Sequence, residues 1–340
     1  MQARFHPLRR MWLLCFSLVV ALSLAPTQVV ASAHKQIKVE RLVFPVTLSD
    51  GQTYFLVGYL YYQGTYRNRP LQVTLHGGNY NHAYWDIPTI NGQPYSYARF
   101  MARQHQAVLA LDLLGTGESS KPDADFITFQ EMGSAVHQVL VHLRSGNNPT
   151  GHAFDQLVLV GHSLGTALAA YVQGTYNDAD ALVSTGLVFV PYTRPIDPDL
   201  FLELAQNPYF KLPPEVRRSL FYYEPGADPD VIAHDLAELD DIIPRGYVFS
   251  SLPFLDNPAV TRVDQVTSPV LVQLGEFDVL APGVLAEQEA AVWSSASSVT
   301  VQVIPDIGHT FNAHYNNLSS WSHIASWISE TLGSRPRGRN

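Results

Sequence analysis

Residues 159–167 read LVGHSLGTA and place one serine between two glycines. An apolar run from Leu157 to Val160 precedes the first glycine, and small and apolar residues follow the second. This pattern predicts a strand that turns sharply into a helix at Ser163. Such a turn projects a serine hydroxyl away from a sheet, and small flanking residues permit the close backbone approach that the turn needs. Ser163 is therefore either a nucleophile or a helix N-cap.

Short apolar strands alternate with helical patterns from residue 71 onward. Near-continuous apolar strands of this kind predict an α/β fold with a mostly parallel sheet covered by helices on both faces. Residues 38–62 instead predict an antiparallel pair around the turn Ser49-Asp50-Gly51. The later strands are predicted at 71–75, 107–112, 156–160, 182–190, 269–274 and 299–304, and the helices near 94–104, 130–144, 163–174, 283–294 and 318–332.

Residues 191–258 interrupt this alternation. They contain 11 of the 23 prolines, 10 aromatic residues, and 12 acidic against 5 basic side chains. Irregular loops of this length are uncommon inside compact domains. We therefore expect a mostly helical cap, inserted over the strand ends.

Two later loops supply the partners that a nucleophilic serine requires. GEFDVLAP places Asp278 just beyond the strand at 269–274, and IPDIGHTFN places His309 just beyond the strand at 299–304. The C-terminal ends of parallel strands share one edge of a sheet, where such folds build their sites. The chain order Ser163, Asp278, His309 therefore predicts a catalytic triad of nucleophile, orienting acid and base.

A triad is defined by geometry and not by position in the sequence, so two rival acids stay open. Glu276 lies very close to the strand end, and Asp306 lies very close to His309 along the chain.

The amide of Leu164, at the start of the predicted helix, is expected to donate a hydrogen bond to a developing oxyanion.

Five local motifs together resemble the α/β-hydrolase superfamily, in the subgroup with a cap after the sixth strand, over about residues 40–332. LHGGNYNHAYW at 75–85 resembles its oxyanion loop, and LDLLGTGESSKP at 111–122 resembles its Asp-x-x-Gly-x-Gly-x-Ser segment. GHSLG, GEFDVLAP and DIGH complete the set. The resemblance implies the same roles for Ser163, Asp278 and His309.

The resemblance also implies a second oxyanion amide in the loop after His76. Gly78 is the first candidate and Asn79 the second. Aromatic side chains follow this loop and recur in the cap, where they either line a substrate pocket or belong to the core. The candidate pocket residues are Tyr80, Tyr84, Trp85 and Tyr222.

The N-terminal 33 residues have the three-part pattern of a secretory signal peptide. Three arginines precede a mostly apolar run from Met11 to Ala25, and Ala31-Ser32-Ala33 supplies a cleavage site. The run is shorter than the roughly 20 residues of a membrane span, although an uncleaved anchor is the alternative. The only cysteine, Cys15, lies in this run. A mature, secreted chain would therefore have no thiol nucleophile.

The charge balance excludes some classes of partner. The formal net charge is −9, and removal of residues 1–33 leaves 18 basic against 30 acidic side chains. Such a surface disfavours nucleic acid and anionic membranes. The 13 histidines show no tight metal-binding spacing, so neither a metal nor a cofactor is expected. The predicted domains are the signal peptide 1–33, the core 34–190, the cap 191–258, the second part of the core 259–332 and the tail 333–340.

The leading hypothesis is a secreted serine hydrolase that cleaves an apolar or aromatic carboxylic ester or lactone through an acyl-enzyme. Within the superfamily that the chain resembles, Ser163 argues against haloalkane dehalogenases and epoxide hydrolases, because these use an aspartate at this position. Three alternatives stay open: an amidase of aminopeptidase type, a haloperoxidase-like perhydrolase and a non-catalytic binding protein. The sequence does not indicate an oligomeric state.

Overall fold

The computed structural model describes residues 36–255 and 257–333. The predicted signal peptide and residues 334–340 of the tail lie outside the described residues, so secretion stays a prediction. Within the described part of the chain, no helix combines the length and the apolar character needed to cross a membrane.

Twelve strands lie in the described residues. They are β1 Ile37–Thr47, β2 Thr53–Gln63, β3 Leu71–Leu75, β4 Ile87–Ile90, β5 Gln93–Tyr95, β6 Ala107–Leu111, β7 Leu157–His162, β8 Ala181–Thr185, β9 Tyr209–Phe210, β10 Ile243–Pro244, β11 Val270–Gly275 and β12 Val299–Ile304.

Eight of these strands form the central sheet, in the order β1-β2-β6-β3-β7-β8-β11-β12. β2 runs antiparallel to both of its neighbours. The remaining pairs are parallel. The predicted mostly parallel sheet, with its antiparallel pair at the start, is confirmed.

The α-helices of the described residues are α1 Tyr97–Arg103, α2 Phe129–Ser145, α3 Leu164–Tyr176, α4 Pro198–Leu204, α5 Pro214–Phe221, α6 Pro229–His234, α7 Arg245–Leu255, α8 Pro258–Thr261, α9 Ala286–Val292 and α10 Asn317–Gly333. α2 shows how the sequence sets such limits. Thr128 accepts a hydrogen bond from the amide of Glu131 at the start of the helix, and Gly146 ends it with a φ of 74°.

Alternate residues of β7 face two apolar layers. Leu157 and Leu159 belong to the buried cluster that includes α2 and α3. Val158 and Val160 belong to the buried cluster that includes α1 and α10. Burial on both faces explains why this strand is apolar at every position before Gly161.

The predicted strand at 182–190 is wrong beyond residue 185. β8 ends at Thr185, and Gly186 turns the chain with a φ of 63°. The amides of Phe189 and Val190 then donate to the carboxylate of Glu289 at 2.7 and 3.3 Å. The apolar run continues past the strand because Val188 and Phe189 are buried in the core. An apolar run in the sequence does not show whether its residues are buried in a strand or in the segment that follows it.

Residues 191–258, called the insertion below, contain α4 to α7 and the short ribbon β9–β10. The prolines are explained in part by helix starts, where a missing amide hydrogen costs little. Pro198 and Pro229 each follow an aspartate, Asp197 and Asp228, that caps the new helix. The insertion is mostly helical, as expected, whereas its limits as a separate cap domain stay a prediction.

Asp112, at the end of β6, organises the loop that follows. Its buried carboxylate accepts hydrogen bonds from the amide of His82 at 2.8 Å, from the imidazole of His82 at 2.7 Å, and from the amide of Glu118 at 2.8 Å. Burial opposes ionisation, but these hydrogen bonds and the charge of His82 hold the pKa of Asp112 below its ordinary value. Gly117 lies directly against the carboxylate of Asp112, and a β-carbon built on Gly117 would overlap it.

Gly117 tests this interpretation of the loop, and Gly51, which also has a positive φ but lies in the turn between β1 and β2, is the control. We expect Gly51→Ala, with φ 75° and open space around it, to lower the free energy of unfolding by only about 1–2 kcal/mol. Gly117→Ala, with φ 49°, should lower it by about 3 kcal/mol or more, because the methyl group displaces a buried charge. Urea unfolding of both variants measures the difference, and equal losses would contradict the packing described here.

Candidate active site

Ser163 joins β7 to α3 in a strained backbone conformation. Its φ is 55° and its ψ is −124°, a region that residues with side chains rarely adopt. A β-carbon on Gly161 would lie 2.5 Å from the carbonyl oxygen of Gly165, and one on Gly165 would lie 2.6 Å from that of His76. Only glycine fits at these two positions, so the GHSLG pattern is explained by the turn itself.

The side chain of Ser163 makes no capping hydrogen bond to α3. The helix-cap alternative therefore does not account for the serine. Instead, Ser163 lines a cavity of about 410 Å³ at the C-terminal edge of the sheet. Strain at a residue that faces a cavity is typical of a functional position.

His309 and Asp278 form a buried pair beside this cavity. Nδ1 of His309 lies 2.9 Å from Oδ2 of Asp278, and each residue is 2% exposed. The other carboxylate oxygen of Asp278 accepts hydrogen bonds from the amides of Leu280 at 2.8 Å and Ala281 at 3.0 Å. A fixed carboxylate of this kind holds an imidazole in the tautomer that leaves Nε2 unprotonated.

Nε2 of His309 is buried and has no hydrogen-bond partner within the described part of the chain. His309 and Ser163 line the same cavity, but no hydrogen bond between their side chains is present among the described residues. Gly186 lies close to this histidine. A β-carbon built on Gly186 would be 3.5 Å from Cε1 of His309. His309 therefore lines the cavity with one ring nitrogen that makes no hydrogen bond within the described residues.

The two rival acids lie elsewhere. Glu276 and Asp306 are both exposed. The carboxylate of Glu276 accepts a hydrogen bond from the amide of Asp306 at 3.2 Å. The carboxylate that faces His309 is that of Asp278.

The glycines after β3 approach the serine closely. A β-carbon on Gly77 would lie 2.9 Å from Cβ of Ser163, and one on Gly78 would lie 3.2 Å from Cδ1 of Leu164. Leu164 is the first residue of α3, so its amide has no acceptor within the helix. The structure thus brings Gly78 and Leu164, the two first-choice oxyanion residues, to one wall of the cavity.

Asn79, the second-choice residue, is buried and has a φ of 59°. Its carboxamide donates to the carbonyl oxygens of Phe210 at 3.1 Å and Asp241 at 3.0 Å, both in the insertion. The side chain of Asn79 therefore links the loop after β3 to the insertion.

Arg217, which forms a buried ion pair within the insertion, makes a second connection between these two segments. Nη2 of Arg217, on α5, lies 2.7 Å from Oδ1 of Asp235, and both side chains are fully buried. Nη1 of Arg217 donates to the carbonyl oxygen of Asn79 at 2.9 Å. The guanidinium also lies 4.2 Å from the ring centre of Tyr80. Sequence reasoning missed this residue, because nothing near Arg217 in the sequence identifies partners 18 and 138 positions away.

The walls of the cavity are largely apolar, and the insertion supplies most of them. The apolar residues that the insertion contributes to the lining are Ile196, Pro198, Phe201, Leu202, Phe210, Leu212, Leu220, Phe221, Ile243, Val248, Phe249 and Leu252. Arg194 also lines it and donates a hydrogen bond to the carbonyl oxygen of Val188 at 2.9 Å, whereas within the described residues no aspartate or glutamate lines it. Such a cavity suits a neutral, apolar ligand.

Of the four predicted pocket aromatics, Tyr80 lines the cavity. Tyr84, Trp85 and Tyr222 are buried in the core and are not among its described lining residues. The ring of Tyr84 instead stacks on His162 at 4.6 Å. Burial lowers the pKa of His162 well below its ordinary value, and His309 acts in the same direction. A neutral ring thus lies 5.0 Å from the ring of His309.

The model of the alpha/beta hydrolase family matches residues 72–317. This range contains the turn at Ser163 and the pair of Asp278 and His309. The chain belongs to the alpha/beta hydrolase family.

Solved structures show the same fold for this hydrolase at low sequence identity. A thermophilic esterase from Thermogutta terrifontis is 19% identical with a TM-score of 0.59, and the match covers 85% of this chain and 98% of that one. A monoacylglycerol lipase from Paleococcus ferrophilus is 14% identical with a TM-score of 0.59, covering 87% and 99%. A bromoperoxidase from Bacillus anthracis is 15% identical with a TM-score of 0.60, covering 86% and 100%. None of the curated proteins matches the sequence.

Arg217 and its neighbour Arg218 provide a matched test of the buried ion pair in this hydrolase. Arg218 is half-exposed and pairs with the exposed Glu224. We expect Arg217→Met to lower the free energy of unfolding by about 3–5 kcal/mol, because Asp235 stays buried and charged. Arg218→Met should leave the free energy of unfolding almost unchanged, because an exposed ion pair contributes little.

The double variant Arg217→Met/Asp235→Asn removes the isolated charge and should recover about 2 kcal/mol of the loss. Chemical denaturation of the four proteins gives the comparison. Equal losses for Arg217→Met and Arg218→Met would show that the buried contacts of Arg217 contribute no more to stability than an exposed ion pair.

Proposed function

We propose that this alpha/beta hydrolase is a serine hydrolase that cleaves a carboxylic ester or lactone with an apolar acyl or alcohol part. The main support is the placement of three residues. Ser163 is strained and has no capping role, and His309 is held by the buried carboxylate of Asp278. Ser163 and His309 line the same largely apolar cavity. The esterase and lipase names of similar structures agree with this proposal.

In the proposed reaction, Oγ of Ser163 attacks the ester carbonyl while Nε2 of His309 takes the hydroxyl proton. The amides of Leu164 and Gly78 hold the oxyanion of the tetrahedral intermediate. His309 then gives its proton to the departing alkoxide, and an acyl-enzyme remains. Water resolves this ester with His309 again as base. Asp278 stabilises the positively charged imidazole in both halves.

The composition of the cavity wall favours an ester over an aminopeptidase substrate. A free α-amino group would enter the cavity as an ammonium ion, and a buried ammonium ion needs a carboxylate partner. No acidic side chain fills this role among the described lining residues. Ligand binding without turnover is the outcome that the labelling and hydrolysis experiments below distinguish from this reaction.

A fluorophosphonate probe tests the nucleophile directly. The probe should label the wild-type protein on Ser163, and Ser163→Ala should abolish the label. Ser251→Ala is the matched control, since Ser251 also lines the cavity but donates its hydroxyl to the carbonyl oxygen of Val248 at 2.6 Å. This control should label fully. A label that survives Ser163→Ala would overturn the proposal.

Hydrolysis of p-nitrophenyl esters tests the roles of the three residues. We expect Ser163→Ala and His309→Ala each to lower kcat by about 10⁶-fold, and Asp278→Ala by about 10⁴-fold. Combined variants should lose no more than the single variants, because the three residues act as one unit. Labelling without ester turnover would point to a different acyl substrate, and full activity in Asp278→Ala would contradict the role of this carboxylate.

Two apolar residues at the open side of the cavity test the substrate class. Leu202 and Leu252 line the cavity but are 61% and 51% exposed, so replacing them should leave the fold intact. We expect Leu202→Asn/Leu252→Asn to lower kcat/KM for p-nitrophenyl octanoate about tenfold and to leave the acetate ester unchanged. Val284→Asn, at an 85% exposed site outside this lining, is the control. Equal losses for both esters would contradict an apolar chain in this cavity.

A further inference from the structure

His314 is a buried histidine that the proposed reaction does not use. Its side chain is fully buried, and it is not among the described residues that line the cavity. Its Nδ1 lies 2.8 Å from the carbonyl oxygen of Thr310. Its Nε2 accepts hydrogen bonds from the amide of Gly308 at 3.1 Å and from the amide of Tyr223 at 3.2 Å.

These contacts define the tautomer of the ring. Nε2 faces two N–H donors and must therefore be unprotonated, so Nδ1 carries the hydrogen and donates it to Thr310. Burial lowers the pKa of His314 to about 4. The ring is therefore neutral near pH 7, and all three hydrogen bonds persist there.

The three partners surround the proposed base. Gly308 and Thr310 are the residues directly before and after His309. The third partner, Tyr223, belongs to the insertion. One neutral imidazole thus holds the backbone on both sides of His309 and joins that loop to the insertion.

Further contacts show that this junction is tightly fitted. The amide of Thr310 donates to the carbonyl oxygen of Phe221 at 3.0 Å, and that of Tyr315 donates to Gly226 at 2.8 Å. A β-carbon on Gly308 would lie 2.5 Å from the amide nitrogen of Tyr223. The ring of His314 also stacks on Tyr222 at 5.6 Å. A fixed loop of this kind limits the motion of the His309 side chain.

We propose that His314 is a positioning residue, which fixes the backbone around His309 and joins it to the insertion so that Nε2 of His309 stays in the cavity that Ser163 also lines. The proposal rests on the function proposed above, since it acts through the base of that reaction. His314 itself does not contact the substrate. Displacing a catalytic group by about 1 Å costs about 100-fold in rate, so this contact matters for turnover.

Two conservative variants separate the hydrogen bonds of His314. In His314→Asn the amide group takes the place of Nδ1, so the bond to Thr310 is kept and the acceptor for Gly308 and Tyr223 is lost. In His314→Gln the amide oxygen takes the place of Nε2, and the acceptor for Gly308 and Tyr223 is kept. We expect kcat per labelled active site to fall about 10–100-fold in His314→Asn and less than tenfold in His314→Gln, with KM changed less than threefold in both.

Gln173→Leu is the matched control for stability. Gln173 is also buried, and its side chain holds a backbone loop by donating to Ala179 at 2.8 Å and accepting from its amide at 2.9 Å. It lies near the end of α3 that is remote from Ser163. This variant should lower Tm but leave kcat per labelled site unchanged.

The downfield proton NMR signal of His309 Nδ1 reports the loop without any substrate. It should shift or broaden in His314→Asn and stay unchanged in Gln173→Leu. If His314→Asn only lowers Tm, and keeps both kcat per labelled site and this signal, the residue has a structural role and the inference is wrong. If the wild-type protein neither labels nor hydrolyses esters, the proposed function fails instead, and the NMR comparison still decides whether His314 positions His309.

Discussion

The backbone of α3 approaches the end of β3 so closely that no side chain fits between them. At Gly165 even one additional carbon would collide with the carbonyl oxygens of Leu75 and His76. This approach fixes where the turn at Ser163 lies relative to the loop that begins at Gly77. Because Leu75 pairs with Gly161 in the sheet, the strands and the turn define one rigid corner. The cavity, the position of Ser163 and the course of the loop after β3 all depend on that corner.

Much of this corner could be predicted from the sequence because its causes are local. An apolar strand, two glycines and a serine are adjacent in the chain, and they specify the turn without reference to distant residues. Asp278 and His309 could be placed for a related reason. Each follows an apolar strand, and parallel strands bring their C-terminal ends to one edge wherever they lie in the sequence.

Features that depend on distant partners could not be predicted in the same way. The strand at 182–190 was extended too far because its apolar residues continue, whereas the hydrogen bonds at Phe189 are made by Glu289, 100 positions later. The same limit applies to Arg217 and His314. Arg217 bonds to the carboxylate of Asp235 and to the carbonyl oxygen of Asn79, 138 positions away. His314 bonds to backbone groups, and one of them, at Tyr223, is 91 positions away. A backbone partner has no side chain that a sequence pattern could reveal. Tyr84 and Trp85 illustrate a third case, since an aromatic residue near a site has the same sequence pattern in a core as in a pocket.

The buried pair of Arg217 and Asp235 has a consequence for how this protein can diversify. Exchange of the whole insertion would change the cavity in one step, because the insertion supplies most of its lining. Here, however, the guanidinium reaches out of the insertion and holds the carbonyl group of Asn79 in the core. A chimera that receives a foreign insertion would lose this partner unless it also inherits an equivalent cation. Ligand preference can therefore evolve through single substitutions on the apolar wall, while exchange of the whole segment requires coordinated changes on both sides of the junction.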